Sequence, residues 1–339
     1  MTMDEIMAKV NKDAKSDILT VGMKDYDYKR IPFTSPRMNY CSFGGVPVGK
    51  LIEFYGEEHG GKTTSALDIV SNYQLMGDGR KVLYVDAENS LDVEWAEKLG
   101  VDVEAMYLLQ PESQSAEDIF QIIEDSVASG EIGLWVLDSI GVLVSSAEMD
   151  EKKTYDDKTY GGISAPLSRF SKKIEMLMKK HHCTGIGINQ EREDMNSPWG
   201  GKRTPGGKAW KHNSSVRMCF KRGKFIDDKG NELTRGAENP AGNIVLMEMT
   251  KNKTCPPTRR IGQYRINYLT GIDYIKDLVD VSIEIGVIEK SGAWFTIIDT
   301  DSGEVIKDKI QGQAKVFSLL EEDEEVRARV EALVDKYIL

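Results

Sequence analysis

Apolar and polar positions alternate in blocks along most of the chain. Residues 50–55 (KLIEFY) form a short apolar run that ends at a glycine. The block after it, 63–76, carries apolar residues at helical spacing. Runs at 81–85 (KVLYV), 134–137 (LWVL) and 184–188 (TGIGI) repeat the strand pattern, and each gives way to polar residues. Between them, Ser115 and Asp118 form a capping box, and Ile119, Ile122, Ile123 and Val127 share one helical face. Residues 164–180 carry another stripe, made of Leu167, Phe170, Ile174 and Leu177. This rhythm predicts an α/β domain, a mostly parallel twisted sheet flanked by helices. Such sheets bind ligands beyond the carboxyl ends of their strands. Glu57, Glu88, Asp138 and Gln190 all fall just past predicted strand ends.

The flanking segments read differently. Residues 2–12 predict a short helix, with Thr2 and Glu5 as a capping box. Residues 13–36 read as a polar linker or docking arm, broken by Pro32 and Pro36. Two long polar, Gly-rich segments, 148–162 and 191–207, interrupt the alternating core. Loops of that length inside a domain are usually functional. Beyond residue 270 a smaller α+β region begins, with an acidic run at 321–325 read as a tail and a final helix. The expected division is thus an arm over 1–36, a core over 37–270 and a C-terminal domain over 271–339.

Composition narrows the classes. The 339 residues carry 44 Lys and Arg against 55 Asp and Glu, a net charge of −11. A chain this acidic does not coat nucleic acid by net charge, so any such site is a local basic patch. A mean hydropathy of −0.39, with no apolar run near 20 residues, excludes a membrane-spanning helix. The N-terminal segment has no apolar core of the secretory type. Cys41, Cys183, Cys219 and Cys255 lie far apart, which favours reduced thiols in a cytoplasmic setting over a disulfide framework or zinc site.

The strongest chemical signal is Gly56-Glu57-Glu58-His59-Gly60-Gly61-Lys62-Thr63, followed by Thr64, between a strand and a helix. In this spacing backbone N–H groups wrap phosphate oxygens, Lys62 reaches the β/γ-phosphates, and Thr63 holds Mg²⁺. Asp138 at the end of LWVL suits a carboxylate that orients Mg²⁺ through water, or alternatively a turn cap with Ser139. Glu88 is a candidate general base, while Asp86 equally suits a buried strand-end acceptor. Segment 198–212 holds Lys202, Arg203, Lys208 and Lys211 with Trp199 and Trp210 and no acid. It suits phosphate contact and base stacking, or else a solvated loop. Lys251, Lys253, Arg259 and Arg260 form a second cluster, also readable as a solvated strand end. Trp95, Trp135 and Trp294 read as core residues.

Taken in order, GEEHGGKTTSAL, LYVDAENSLDVEWAEKLGVD, LWVLDSIGVLV, GIGINQER, TPGGKAWKH, TKNKTCPP and KDLVDVSIEIGVIEKSGAW resemble successive segments of the RecA-type DNA recombinases. The resemblance covers about residues 40–300, and the chain is similar to a divergent member. It implies a RecA-like P-loop ATPase core with an N-terminal arm and a small α+β C-terminal domain. It implies ATP and Mg²⁺ as cofactors, with Glu88 activating water, Asp92 and Trp95 at the adenine, and Gln190 sensing the γ-phosphate. Lys251 and Lys253 match a pair that reaches a neighbouring subunit's ATP. The loops at 148–162 and 191–207 match the DNA loops, with Tyr160, Arg192, Met195, Gly206, Gly207 and Lys208 at or near contact positions. The implied activity is DNA-dependent ATP hydrolysis coupled to pairing and strand exchange, by a homo-oligomeric helical filament on single-stranded DNA acting on duplex DNA. Alternatives are a hexameric helicase-like motor, an ATP-gated DNA-binding scaffold and, disfavoured for want of an acceptor-binding segment, a small-molecule kinase. Departures are His59-Gly60, where the family has small hydroxyl residues, and the acids Asp156, Asp157, Glu191, Glu193 and Asp194 in the DNA loops.

Overall fold

The computed structural model describes residues 1–15, 19, 28–149, 162–193, 201–234 and 236–338. Among these, nine strands share one sheet: β1 (Leu51–Gly56), β2 (Lys81–Asp86), β3 (Met106–Leu109), β4 (Ile132–Asp138), β5 (Thr184–Gln190), β6 (Val216–Ile226), β7 (Gly242–Asn252), β8 (Ile261–Asn267) and β9 (Gly271–Ile272). The strand order is β9-β8-β7-β6-β1-β5-β4-β2-β3. The six strands from β3 to β6 run parallel, and β7, β8 and β9 extend the sheet antiparallel. β1 and β4 are buried along their full length, as central parallel strands are. The sequence pattern reaches these and β2 and β5. It does not reach β3, β6 or the antiparallel extension, whose strands mix buried and exposed positions.

Alternation along each strand splits the core between two faces. Ile52 and Phe54 of β1 pack with Ala66, Ile69 and Val70 of the helix Lys62–Leu75. Leu51, with Trp135 and Leu137 of β4, packs on the other face with the helices Ala116–Ala128 and Ser164–His181. The predicted stripe residues Leu167, Phe170 and Ile174 are buried there, and Phe170 stacks on Phe120 with ring centroids 4.4 Å apart. The register aligns the functional edge. Gly56 lies opposite Gln190 and Phe220, and Asp86 lies opposite Asp138.

Four readings change at the periphery. The arm expected up to residue 36 includes Ile31 and Phe33, which are buried in the core, and Ser35 caps a helix, Pro36–Ser42. The C-terminal domain has three antiparallel strands, β10 (Ile288–Ser291), β11 (Trp294–Ile298) and β12 (Val305–Gln311), against helices Tyr274–Glu284, Gln313–Glu322 and Glu324–Ile338. The acidic run is no tail: Asp323 joins two helices and accepts from Val326 N at 3.1 Å. Trp294, read as core, is 48% exposed on β11. Trp210, read as a stacking partner for bases, is fully buried on a short helix, Gly207–Asn213. It lies over Gly187 of β5, where an added Cβ would come within 2.5 Å of the indole.

Candidate nucleotide site and basic groove

A cleft of about 740 Å³ opens at the carboxyl edge of the parallel strands. The phosphate loop forms its floor, because β1 must turn there into the helix Lys62–Leu75. Gly56 makes the turn at φ 145°, and a Cβ on it would lie 2.0 Å from the Phe220 carbonyl oxygen of the adjacent strand. His59 takes φ 55°, an uncommon region for a residue with a side chain. Gly60 is buried, Gly61 begins the helix, and Glu58, Thr63 and Thr64 line the cleft.

Lys62 is nearly buried and donates from Nζ to the Glu57 carbonyl oxygen at 2.6 Å. Burial lowers its pKa, opposed by Asp138, Glu88 and Glu58. Thr63 Oγ1 donates to Asp138 Oδ2 at 2.7 Å, and Tyr84 OH donates to the same oxygen at 3.0 Å. Burial pushes the Asp138 carboxyl up to about 6, and Glu88 and Asp86 push it the same way. The Asp138 carboxylate beside the Thr63 hydroxyl suits Mg²⁺ bound together with a substrate phosphate, since among the described residues no group of three acids or histidines is placed to hold a metal alone.

Glu88 stands exposed on the rim, past β2. Its Oε1 accepts from Ser139 Oγ and, at 3.1 Å, from Gln190 Nε2. The ends of β2, β4 and β5 thereby meet at one carboxylate oxygen. Asp86 is the strand-end acceptor that the sequence left as an alternative: it takes bonds from Ser90 N, Leu91 N and Gln110 Nε2. Trp95 lines the cleft and donates from Nε1 to Thr64 Oγ1 at 3.3 Å. Asp92 caps the helix Val93–Lys98 by accepting from Trp95 N, and does not line the cleft. The opposite wall holds Arg222, Asn243 and Tyr268, which sequence reasoning missed. Tyr268 OH donates to Asn243 Oδ1 at 2.9 Å. These three come from β6, β7 and the turn after β8, and only the register of the antiparallel extension brings them here.

Lys251 and Lys253 lie elsewhere. Val216 at the start of β6 pairs with both Ile52 and Asn252, whereas Phe220 pairs with Gly56. The lysine pair therefore sits at the amino edge of the sheet, about 13 Å of strand from the phosphate loop. Lys251 Nζ donates to the carbonyls of Lys211 and His212 at 2.6 and 2.8 Å, and Lys253 Nζ to His212 at 3.3 Å.

A second groove, about 550 Å³, is lined by Arg192, Arg203, Gly206, Gly207, Lys208 and Lys211 along with Gly141 and Glu148. A two-residue ribbon pairs Arg192 with Arg203 and Glu193 with Lys202. Arg192 donates to the Gly141 carbonyl at 2.9 Å. Gly206 enters the helix at φ 94°, where a Cβ would lie 2.3 Å from Leu167. Lys202 does not line this groove; it ion-pairs with Glu57 of the phosphate loop. Tyr160 and Met195 lie outside the described residues.

Comparison with known proteins identifies the family. Residues 1–273 match the RecA N-terminal domain, and residues 276–339 match the RecA C-terminal domain. The chain is 34% identical to Protein RecA of Ruminococcus albus over 293 residues, covering 86% of this chain and 70% of the relative. It is 34% identical to Protein RecA of Fusobacterium nucleatum over 331 residues (96% and 82%) and 35% identical to that of Thermus aquaticus over 301 residues (87% and 82%). With both family domains matched end to end along the chain, it belongs to the RecA family.

Proposed function

We propose that this protein is an ATP- and Mg²⁺-dependent DNA recombinase. It assembles as a helical filament on single-stranded DNA and promotes pairing and strand exchange with duplex DNA in the cytoplasm. The observation that carries the reading is the bond from Gln190 to Glu88, because Gln190 ends β5 and leads straight into the basic ribbon. One side chain thus touches the candidate base and opens the DNA-facing segment. No helix among the described residues is long and apolar enough to cross a membrane.

The residues divide the work. Lys62 leaves the Glu57 carbonyl for the β/γ-phosphates, where its charge offsets the negative charge that builds up at the transition state. Thr63 and Asp138, already in contact, are the residues that would hold Mg²⁺. Bound there, Mg²⁺ would neutralise phosphate charge. Trp95 and Tyr268 offer ring faces for the adenine. Among the described residues Glu88 accepts both its bonds on Oε1, so Oε2 remains for the attacking water and its proton. Lys251 and Lys253 cannot reach their own phosphate loop from the amino edge, which suits donation to a neighbour's nucleotide. The arm, core and C-terminal domain act as one filament unit, and Arg192, Arg203, Gly206, Gly207 and Lys208 contact the DNA backbone. Backbone contact leaves the bases free to test homology by pairing.

The test is ATP hydrolysis with and without single-stranded DNA across a salt series. Stimulation that fades with salt is expected, as counterion release requires. Hydrolysis indifferent to DNA would favour the ATP-gated scaffold.

A further inference from the structure

Lys202 belongs by sequence to the DNA-facing ribbon, yet its ammonium turns the other way. It pairs with Glu57 and lies 3.9 Å from Glu191 Oε2. Both acids are tied to the nucleotide loop. The Glu57 carbonyl accepts from Lys62, and Glu191 N donates to the Gly56 carbonyl at 3.0 Å. The Glu191 Oε2 atom is buried and, among the described residues, accepts no hydrogen bond. Lys202 is therefore the cation that serves two carboxylates beside the phosphate loop. The pair also perturbs both partners: Lys202 holds the Glu57 carboxyl below its ordinary range, and Glu57 holds the Lys202 ammonium above its own.

We infer that Glu57 is a positioning residue that couples nucleotide binding to DNA binding by parking Lys202 beside the phosphate loop. The inference rests on the ATP and DNA reading above. Without nucleotide, Lys62 anchors residue 57 by its carbonyl, and Glu57 keeps Lys202 off the DNA. With nucleotide bound, Lys62 turns to the phosphates and residue 57 loses that anchor. Lys202 then exchanges a carboxylate for a DNA phosphate. Both side chains are about half exposed, so the pair is weak and easily reversed, as an exposed ion pair is. This route is separate from the Gln190–Glu88 contact, since it runs through charge and not through the candidate base.

The experiment measures binding of fluorescent oligo(dT) to the full chain, without nucleotide and with a non-hydrolysable ATP analogue, over a salt series. E57Q should tighten nucleotide-free binding about 2–5-fold, the size an exposed pair can carry. It should also steepen the salt slope by about 0.7, the share of one extra cation on a single strand. The gain in affinity caused by the analogue should shrink by the same factor. K202Q should leave nucleotide-free binding unchanged and weaken only the analogue state. In the K202Q background, E57Q should then have no effect. Tightening by E57Q that persists with K202Q would mean only that a negative charge was removed, and would overturn the coupling. An E57Q chain that binds like wild type without nucleotide would overturn it too. Failure of the wild type to bind oligo(dT) in either state would instead sink the recombinase reading itself.

Discussion

At the carboxyl edge of the parallel strands, Lys62 rests on the Glu57 carbonyl and Thr63 rests on Asp138. At the amino edge, Lys251 and Lys253 rest on the carbonyls that end the helix Gly207–Asn213. In both places a lysine holds a backbone oxygen that a phosphate could replace. The surroundings differ. Lys62 has a glycine-lined turn, three nearby carboxylates and a cleft in its own chain. Lys251 and Lys253 form no ion pair with any described residue. Burial and the mutual repulsion of the two ammoniums lower the pKa of Lys251. A partly buried Lys251 repelled by an exposed Lys253, with no carboxylate in contact among the described residues, gains from any anion brought against it. On the proposed reading, the carboxyl edge is a phosphate site complete in its own chain and the amino edge is half of one that a neighbour completes.

The sharpest way to break this comparison is at the complete site. Lys62→Ala should weaken ATP binding by about 100-fold, near the upper range for hydrogen bonds to charged groups. Equilibrium titration with a fluorescent ATP analogue measures it, and nucleotide-dependent DNA binding should vanish with it. Next is Glu88→Gln, which keeps the shape and the bond to Ser139 while removing the base. DNA-stimulated hydrolysis should fall by about 10²–10⁴, the usual worth of a general base, with ATP affinity within a few-fold of wild type. Normal hydrolysis by Glu88→Gln would move the base assignment elsewhere. Lys251→Ala tests the half-site. Its effect should appear only in assemblies: about a 10–100-fold loss of hydrolysis on DNA, below that for deleting a complete oxyanion donor, with monomer ATP affinity unchanged. An equal loss in monomer binding would place Lys251 in its own subunit's site and erase the difference between the two edges.

How far each edge is legible in the sequence follows from how each is built. Lys62, Thr63, Glu88, Asp138 and Gln190 stand within a few residues of apolar strand ends, so local pattern alone locates them. Parallel register then brings them together, as Gly56 opposite Gln190 and Asp86 opposite Asp138 show. Arg222, Asn243 and Tyr268 carry no such local mark. They enter the cleft through hairpin pairing of half-exposed strands, which runs of apolar residues do not reveal. Trp210 misleads for the opposite reason: basic neighbours suggest an exposed segment, while the short helix turns the indole onto Gly187. Lys202 misleads similarly, because its pairing partner is 145 residues away.

The smallest effect tests Asp138 as the proposed metal carboxylate. Burial holds the Asp138 carboxyl at about 6, above the ordinary carboxylate range. The native state therefore binds this proton more tightly than the unfolded chain does. The stability it contributes is full below about pH 4 and is lost as pH rises through about 6. Asp138→Asn never ionises, and its amide oxygen can still accept from Thr63 and Tyr84. Without nucleotide or Mg²⁺, it should melt a few degrees above wild type at pH 7.5, with the gap closing towards pH 4. Asp68, also raised to about 6 by burial, titrates in both chains and cancels from the difference. Adding Mg²⁺ and ATP should reverse the order at pH 7.5, because only the ionised carboxylate holds the metal, and binding to the native state raises its melting point. Calorimetry of the two chains at three pH values, with and without Mg²⁺–ATP, checks both signs. If Asp138→Asn gains as much from Mg²⁺–ATP as wild type does, Asp138 is not the metal carboxylate, and the acid cluster at this edge serves Lys62 alone.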